Sequence, residues 1–436
     1  MESNQIKLMN LCAANRAALF AKLPAKSMAI VVANSEFTRN GDVHHEYRQN
    51  SDMLYLSQFT EPESVLVLSN LTGRNEFIMF VRPKDKSKEV WTGKRCGTDN
   101  AVKVFGADKA CVIDDLTTVL APMLKTATQV YYTLGINCTL DEKFKSVWNV
   151  VKTPLFDVTK LISELRLFKT FAEIELMRKA ATISANAHAR TMKKTKPGTF
   201  EFQLQATIEH DFKYNGGTGN AYGSIVASGN NACTLHYESN SAKIKANDLI
   251  LIDAGCEVNG YASDITRTYP ASGKFSPSQK VIYELVLKAQ LAAIAMCQAG
   301  NTIQSVHDEA AKVMSDGLIE LGLIDPKSSK KDAAKLTDFF MHGTSHYLGL
   351  DVHDVGSYRN AAKPDETGKN RLLEPGMVIT VEPGLYFDNE DKHIPSQYRG
   401  IGVRIEDDVL ITANGHDVLS NSAPKTVKAI EALMKG

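Results

Sequence analysis

Residues 249–268 read LILIDAGCEVNGYASDITRT. Leu249, Ile250, Leu251 and Ile252 form a short apolar run of the kind a buried strand makes. Asn259-Gly260 follows, a dipeptide whose two members tolerate positive φ and so favour a tight hairpin turn. With Val258 and Tyr261 flanking that turn, the register sets Asp253 opposite Thr266. Asp264 lies two residues before Thr266, on the same face and diagonal to Asp253. Two carboxylates on one face of a buried hairpin repel each other unless a cation lies between them. A metal pair would supply it, since two-metal hydrolytic sites use bridging carboxylates. From this stretch alone, two solvated strand carboxylates are an equally open reading.

On the N-terminal side of the hairpin, Thr170-Phe171-Ala172-Glu173 has capping-box spacing. Ile174, Met177, Ala181 and Ile183 continue it as a long helix, which Pro197-Gly198 stops. A second helix is expected over residues 201–214. The segment GGTGNAYG, 216–223, is rejected as a phosphate loop because no strand precedes it and no clear helix follows. It reads as a flexible connection. On the C-terminal side, Ser276-Pro277 starts a helix to about Gln298, and residues 302–321 give another. Strands are expected at 378–382 and 400–411, the latter ending at the Asn414-Gly415 turn. Two helices followed by strands thus occur twice, which suggests a duplicated half-domain.

Residues 339–356, FFMHGTSHYLGLDVHDVG, hold His342, His346 and His353. Imidazole serves as metal ligand and as acid or base, and equally as a satisfied core group. Glu382 and Glu406 end or lie within apolar strands, where an unpaired carboxylate is expensive. Arg404 and Glu406 share a strand face, so a buried ion pair between them is the competing reading. Asp253, Asp264, His346, Glu382 and Glu406 together offer four carboxylates and one imidazole. A set rich in oxygen and free of thiolate favours Mn²⁺, Co²⁺ or Fe²⁺ over a structural zinc. Two metals with a bridging water suit amide hydrolysis. A serine-hydrolase reading has less support, because G-x-S-x-G is absent.

The first part of the chain alternates strands (28–33, 65–69, 77–81, 130–133) with helices (115–125, 140–151). That pattern predicts an α/β domain with a mixed or parallel sheet and no obvious catalytic cluster. The boundary is placed near residue 168, giving domains 1–168 and 169–436, in keeping with 436 residues in all. Lys+Arg 50 balances Asp+Glu 50, which argues against non-specific binding of nucleic acid or membrane surface. The N-terminus lacks a secretory layout, and no apolar run has the length of a membrane span. The seven scattered cysteines read as reduced thiols, so a cytoplasmic enzyme is expected.

The stretches LIDAGCEVNGYASDITRTYP, HGTSHYLGLDVHDVG, VEPGLY and YRGIGVRIEDD resemble the metallopeptidase family with the pita-bread fold, in particular its aminopeptidase P branch. YRQNSDMLYLSQFTEPESVLVL, residues 47–68, is similar to that branch's non-catalytic N-terminal domain. The resemblance implies an α/β (α+β) chain whose pseudo-twofold catalytic domain releases the first residue of peptides with proline in second position. It implies two divalent ions, Mn²⁺ foremost, with Co²⁺, Fe²⁺ or Zn²⁺ as alternatives. Asp264 and Glu406 would bridge them, with Asp253 on one metal and His346 and Glu382 on the other. Glu382 would also handle the proton of the attacking water. His353 would hydrogen-bond the substrate carbonyl, His236 would lie on the substrate side, and Arg404 would fix the carboxylates or contact substrate. His342, Tyr386 and Trp91 are further candidates for lining the pocket. Family members are often dimers or tetramers. Prolidase, acting on Xaa-Pro dipeptides, is the nearest alternative, although Ser345 in HGTSH departs from the HGLGH that prolidases more often resemble. A non-enzymatic binding module is the distant one, since such relatives lose ligands.

Overall fold

A computed structural model describes residues 2–325, 327, 334–359, 365 and 367–435. The chain forms two compact units, Met1–Arg166 and Leu167–Gly436. The first contains a six-stranded mixed sheet. Its strands, in spatial order, are Lys109–Val112, Glu76–Val81, Val65–Ser69, Ser27–Val32, Gln129–Tyr132 and Leu155–Phe156. The middle pairings are antiparallel and the outer ones parallel. Ser27–Val32 and Val65–Ser69 are buried along their whole length, which is why they read as continuous apolar runs rather than alternating ones. Helices Leu116–Thr126 and Cys138–Val151 fall where the sequence pattern set them.

In the second unit, helix Phe171–Lys194 begins at the expected box: Thr170 caps the Glu173 amide and the Glu173 carboxylate returns to the Thr170 amide. Helix Glu201–Tyr214 follows. Strands Ile225–Ser228, Leu249–Asp253 and Thr266–Pro270 then form an antiparallel sheet. The motif recurs as helices Pro277–Ala295 and Ile303–Glu320 with the sheet Val378–Val381, Asp407–Thr412 and Gly415–Val418. The helices and sheets of both halves contribute to one buried apolar cluster. Each fully buried Leu or Ile of Leu249–Asp253 contributes about 1.5–3 kcal/mol to holding that strand inside.

The decisive hairpin turns at Asn259 (φ +53°) and Gly260 (φ +85°), as the Asn-Gly pair predicts. Val258 pairs with Tyr261 and Asp253 with Thr266, so a single register runs the full length. Between those pairs the ladder thins to two bonds, from the Ala254 amide to the Ile265 carbonyl at 3.1 Å and from the Ser263 amide to the Cys256 carbonyl at 3.0 Å, and its two ends join different sheets. Gly255 lies in the opening, where a Cβ would collide with the carbonyl oxygen of Ser263. The stretch 400–411 is likewise not one strand. Ile401–Arg404 pairs with Gly384–Phe387, and Asp407–Thr412 pairs with Val378–Val381. Pro383 has no N–H for a ladder, so the pairing there is reduced to one bond, from the Ile405 amide to the Pro383 carbonyl at 3.3 Å. The register is again kept across the break, which sets Glu382 opposite Glu406. Both openings fall where the candidate ligands project.

Candidate metal centre

The two opened hairpins meet along Thr266–Thr268. The Glu406 amide donates to the Thr266 carbonyl at 3.1 Å, and the Thr268 hydroxyl donates to the Arg404 carbonyl at 2.9 Å. This contact brings Asp253, Asp264, His346, Glu382 and Glu406 around one cavity of about 330 Å³. Single atoms of Asp264, His346 and Glu406 lie within 4.8 Å of one another. His346 Nε2 is 3.4 Å from Asp264 Oδ2 and 3.6 Å from Glu382 Oε1. Its Nδ1 lies 3.0 Å from the Tyr347 carbonyl, which fixes the proton there in the neutral ring and turns Nε2 toward the carboxylates.

The electrostatics are those of a cation site. Burial, then the repulsion of neighbouring carboxylates, raises Glu406 well above the usual range. Burial also raises Asp253, against the pull of Arg404. Glu382 is pushed up to about 7, chiefly by burial, with His346 and Arg404 opposing. Burial works against the charged form of Asp264 too, yet His346 holds that carboxyl below its ordinary value. The same ion pair lifts His346 to about 9 although burial opposes it. Four oxygen-donor side chains and one imidazole, crowded enough to resist ionising together, fit divalent cations.

Supporting groups hold the ligands. Arg404 Nη2 donates to Asp253 Oδ2 at 2.7 Å and Nη1 to the Tyr386 hydroxyl at 3.0 Å. Its ion pair is therefore with Asp253, and the Glu406 pairing that strand period two allowed is replaced by a Thr266 hydroxyl 2.6 Å from Glu406 Oε2. Asp408 accepts the Asp264 amide at 3.1 Å. Arg267, fully buried, places all five of its donors: on the carbonyls of Thr266, Glu406, Ala423 and Pro424, and on Asp407 Oδ1 at 2.7 Å. It thus ties the Glu406 carbonyl and the Asp407 carboxylate to the Thr266 carbonyl and to residues 423–424.

His236, His342 and His353 also line the cavity. His236 and His353 are exposed at its mouth, and the His353 ring lies 4.1 Å from that of His346. Tyr386 is buried behind, with its hydroxyl 2.8 Å from His342 Nε2. Trp91 lies in the first unit, apart in sequence from every residue of this cavity. It belongs to helix Lys86–Thr92 of the first unit, none of whose residues is buried, and is 85% exposed. Sequence reasoning missed Tyr222, whose hydroxyl lies 2.5 Å from both Asp253 Oδ1 and Asp264 Oδ1. The segment 216–223 is thus no mere connection: Gly219–Asn220 adds a strand beside Cys256–Val258, and Tyr222 enters the site. The available signal was strand Ile225–Ser228, whose first residue pairs with Asp253 and so delivers the chain just before it to the ligands.

The model of metallopeptidase family M24 matches residues 175–413, and that of the aminopeptidase P N-terminal domain matches residues 12–131. The Xaa-Pro aminopeptidase of Escherichia coli strain K12 is 41% identical over 431 residues, covering 96% of this chain and 96% of that one. Among solved structures, Pseudomonas aeruginosa aminopeptidase PepP is similar at TM-score 0.92 and 44% identity, covering 98% of each chain. Aminopeptidase P from E. coli with the inhibitor Pro-Leu is similar at 0.91 and 39%, again covering 98% of each.

Proposed function

The chain belongs to metallopeptidase family M24, and from that premise we propose that it hydrolyses the bond before proline in peptides whose second residue is proline, releasing the first residue. The observation that carries this reading is the convergence of Asp253, Asp264, His346, Glu382 and Glu406 on one cavity with two further histidines at its mouth. The prolyl nitrogen bears no hydrogen, so the site must accept a kinked tertiary amide. The relatives named Xaa-Pro aminopeptidase support that choice of substrate.

Two divalent ions, Mn²⁺ foremost, would be held by Asp253 on one side and by His346 and Glu382 on the other, with Asp264 and Glu406 shared. When bound, such ions bring a water to near-neutral acidity and polarise the scissile carbonyl. Glu382 would accept the proton of the attacking water and return it to the departing prolyl nitrogen. His353 hydrogen-bonds the carbonyl oxygen as charge develops on it, and His236 faces the substrate from the other wall. Arg404, committed to Asp253 and Tyr386, keeps the ligand carboxylates in place. No helix among the described residues is long and apolar enough to cross a membrane. A cytoplasmic homodimer or homotetramer is the assembly we propose.

The test is a paired assay. Protein stripped with chelator and reloaded with Mn²⁺ is given an Arg-Pro-Pro-type peptide and a matched Xaa-Pro dipeptide. Metal-dependent release of the first residue from the longer peptide is expected. Cleavage of the dipeptide alone would move the chain to the dipeptidase reading, and no cleavage of either despite bound metal would sink both.

A further inference from the structure

Glu201 is a fully buried carboxylate that the proposed chemistry leaves unused, and it is not among the residues around the ligand cavity. It opens helix Glu201–Tyr214. No Lys, Arg or His pairs with it among the described residues. Hydrogen-bond donors satisfy it instead. Oε1 accepts from the Ser228 amide and hydroxyl, both at 2.7 Å, and from Asn231 Nδ2 at 3.0 Å. Oε2 accepts from the Tyr237 hydroxyl at 2.9 Å and from the Ala242 amide at 2.8 Å. A carboxylate has roughly four lone-pair sites, so this one has no acceptor capacity to spare.

Every one of these donors belongs to the segment 228–242, which leaves strand Ile225–Ser228 and runs back toward Leu249–Asp253. Ser228 and Ala242 are its two stems. Asn231 and Tyr237 lie between them, and Asn231 Nδ2 also donates to the Tyr237 hydroxyl at 3.1 Å. Beyond the short turn Gly229–Cys233 no regular secondary structure holds the segment, so side-chain anchors must. His236 lies on this stretch. It is exposed, lines the ligand cavity, and its ring has no hydrogen bond among the described residues. Its direction is set by its neighbours. Leu235 and Tyr237 pack against the small apolar cluster of Ile225, Leu251 and Tyr386, and the Tyr237 hydroxyl ends on Glu201.

We propose that Glu201 is a positioning residue for the substrate: acting through Tyr237, it fixes the direction in which His236 faces the ligand cavity. This rests on the reading that His236 lies on the substrate side of a site that cuts before proline. A carboxylate suits the task because both of its oxygens accept. An amide in its place would set an NH₂ group against the backbone N–H of Ser228 or of Ala242, and neither N–H can turn away. A segment without a ladder would otherwise sample several directions, and a substrate-side group displaced by about 1 Å can cost on the order of a hundredfold in rate. The carboxylate is thus placed to hold both stems and the residue next to His236 at one point, without contact with metal or substrate.

The experiment is a double-mutant cycle. It measures kcat, KM and bound Mn²⁺ per chain for the Mn²⁺-loaded full chain on an Arg-Pro-Pro peptide, in the parent, His236→Ala, Tyr237→Phe and the double variant. Tyr237→Phe keeps the ring in its apolar cluster and removes one bond to Glu201. It is expected to lower kcat/KM by about tenfold, divided between kcat and KM as in His236→Ala, with metal content unchanged. On the His236→Ala background it should change kcat/KM by less than about twofold, because its effect passes through the missing ring. Glu201→Gln should lower kcat/KM further than Tyr237→Phe, with the same dependence on His236; if that variant fails to fold, the Tyr237→Phe cycle decides alone. A purely structural role would cost the same factor on both backgrounds, or remove metal together with activity. Either result, or full activity of Tyr237→Phe or of His236→Ala, would overturn the positioning role while leaving Xaa-Pro cleavage intact. Absence of any metal-dependent cleavage by the parent would remove the underlying reading and the inference with it.

Discussion

A phenol has one proton to give, yet the Tyr222 oxygen lies 2.5 Å from a carboxylate oxygen of Asp253 and another of Asp264. It can donate to only one of them, so its role is to hold two candidate ligands to a common point. Groups of this kind are worth roughly 10–100-fold in metal affinity. Tyr222→Phe, which keeps the ring, should therefore weaken Mn²⁺ binding by about tenfold, read by competition with a chromogenic chelator; unchanged affinity would make the hydroxyl a bystander. His188 acts one layer deeper. It is 1% exposed, its Nε2–H donates to the Ala254 carbonyl at 2.9 Å, and burial pushes its pKa down to about 4, with Arg267 adding to the fall and Asp264 opposing it. The unfolded chain takes that proton near 6.5 and the folded one only near 4. Between those values the unfolded state holds more protons, so the His188 contribution is present above about pH 6.5 and lost as pH falls toward 4. His188→Gln, which does not titrate, should flatten the urea midpoint across that range. Neither residue stands out in the sequence by its own neighbours. Tyr222 lies in a glycine-rich run without periodicity, and His188 is one polar residue on a helix whose apolar spacing is satisfied without it.

Hairpins carry the ligands, and their legibility stops at the point where they open. Asn259-Gly260 determined both the turn and the register, because few residue pairs tolerate positive φ at both positions. The Asp253–Thr266 pairing follows from that register alone. The opening between Val258 and Asp253 does not, since period-two counting assumes an unbroken ladder. At that point the Gly255 backbone comes against the Ser263 carbonyl of the facing arm more closely than any side chain permits. The same holds for residues 400–411, where the apolar pattern runs straight through while the hydrogen bonds change partner at Arg404 and Asp407. Gly255→Ala tests the point directly. The added methyl must push the two strands apart, at about 1–3 kcal/mol, and in doing so separates Asp253 from Asp264. Both a lower denaturation midpoint and a lower metal content per chain are expected. Loss of stability with full metal content would mean that the opening serves packing only.

At the scale of the chain, all five candidate ligands lie in Leu167–Gly436, although the outermost, Asp253 and Glu406, are 153 positions apart in sequence. Asp253 and Asp264 belong to the first half of the duplicated motif, and Glu382, Glu406 and His346 to the second, His346 following helix Ile303–Glu320 and preceding strand Val378–Val381. Cations held jointly by this set would tie the two halves together. An ion that binds the folded form alone stabilises it by mass action, about 2.7 kcal/mol when free metal is a hundred times its Kd. Hydrogen exchange followed by mass spectrometry should therefore show slower exchange on adding Mn²⁺ in peptides from both 249–270 and 378–412. Each half must respond, because an ion held by one half would protect that half only. Asp264→Ala removes a shared ligand, and the protection should then vanish from both segments together, including the second half, which the substitution does not touch. Protection surviving in 378–412 while lost from 249–270 would show two independent cation sites in place of one joint centre.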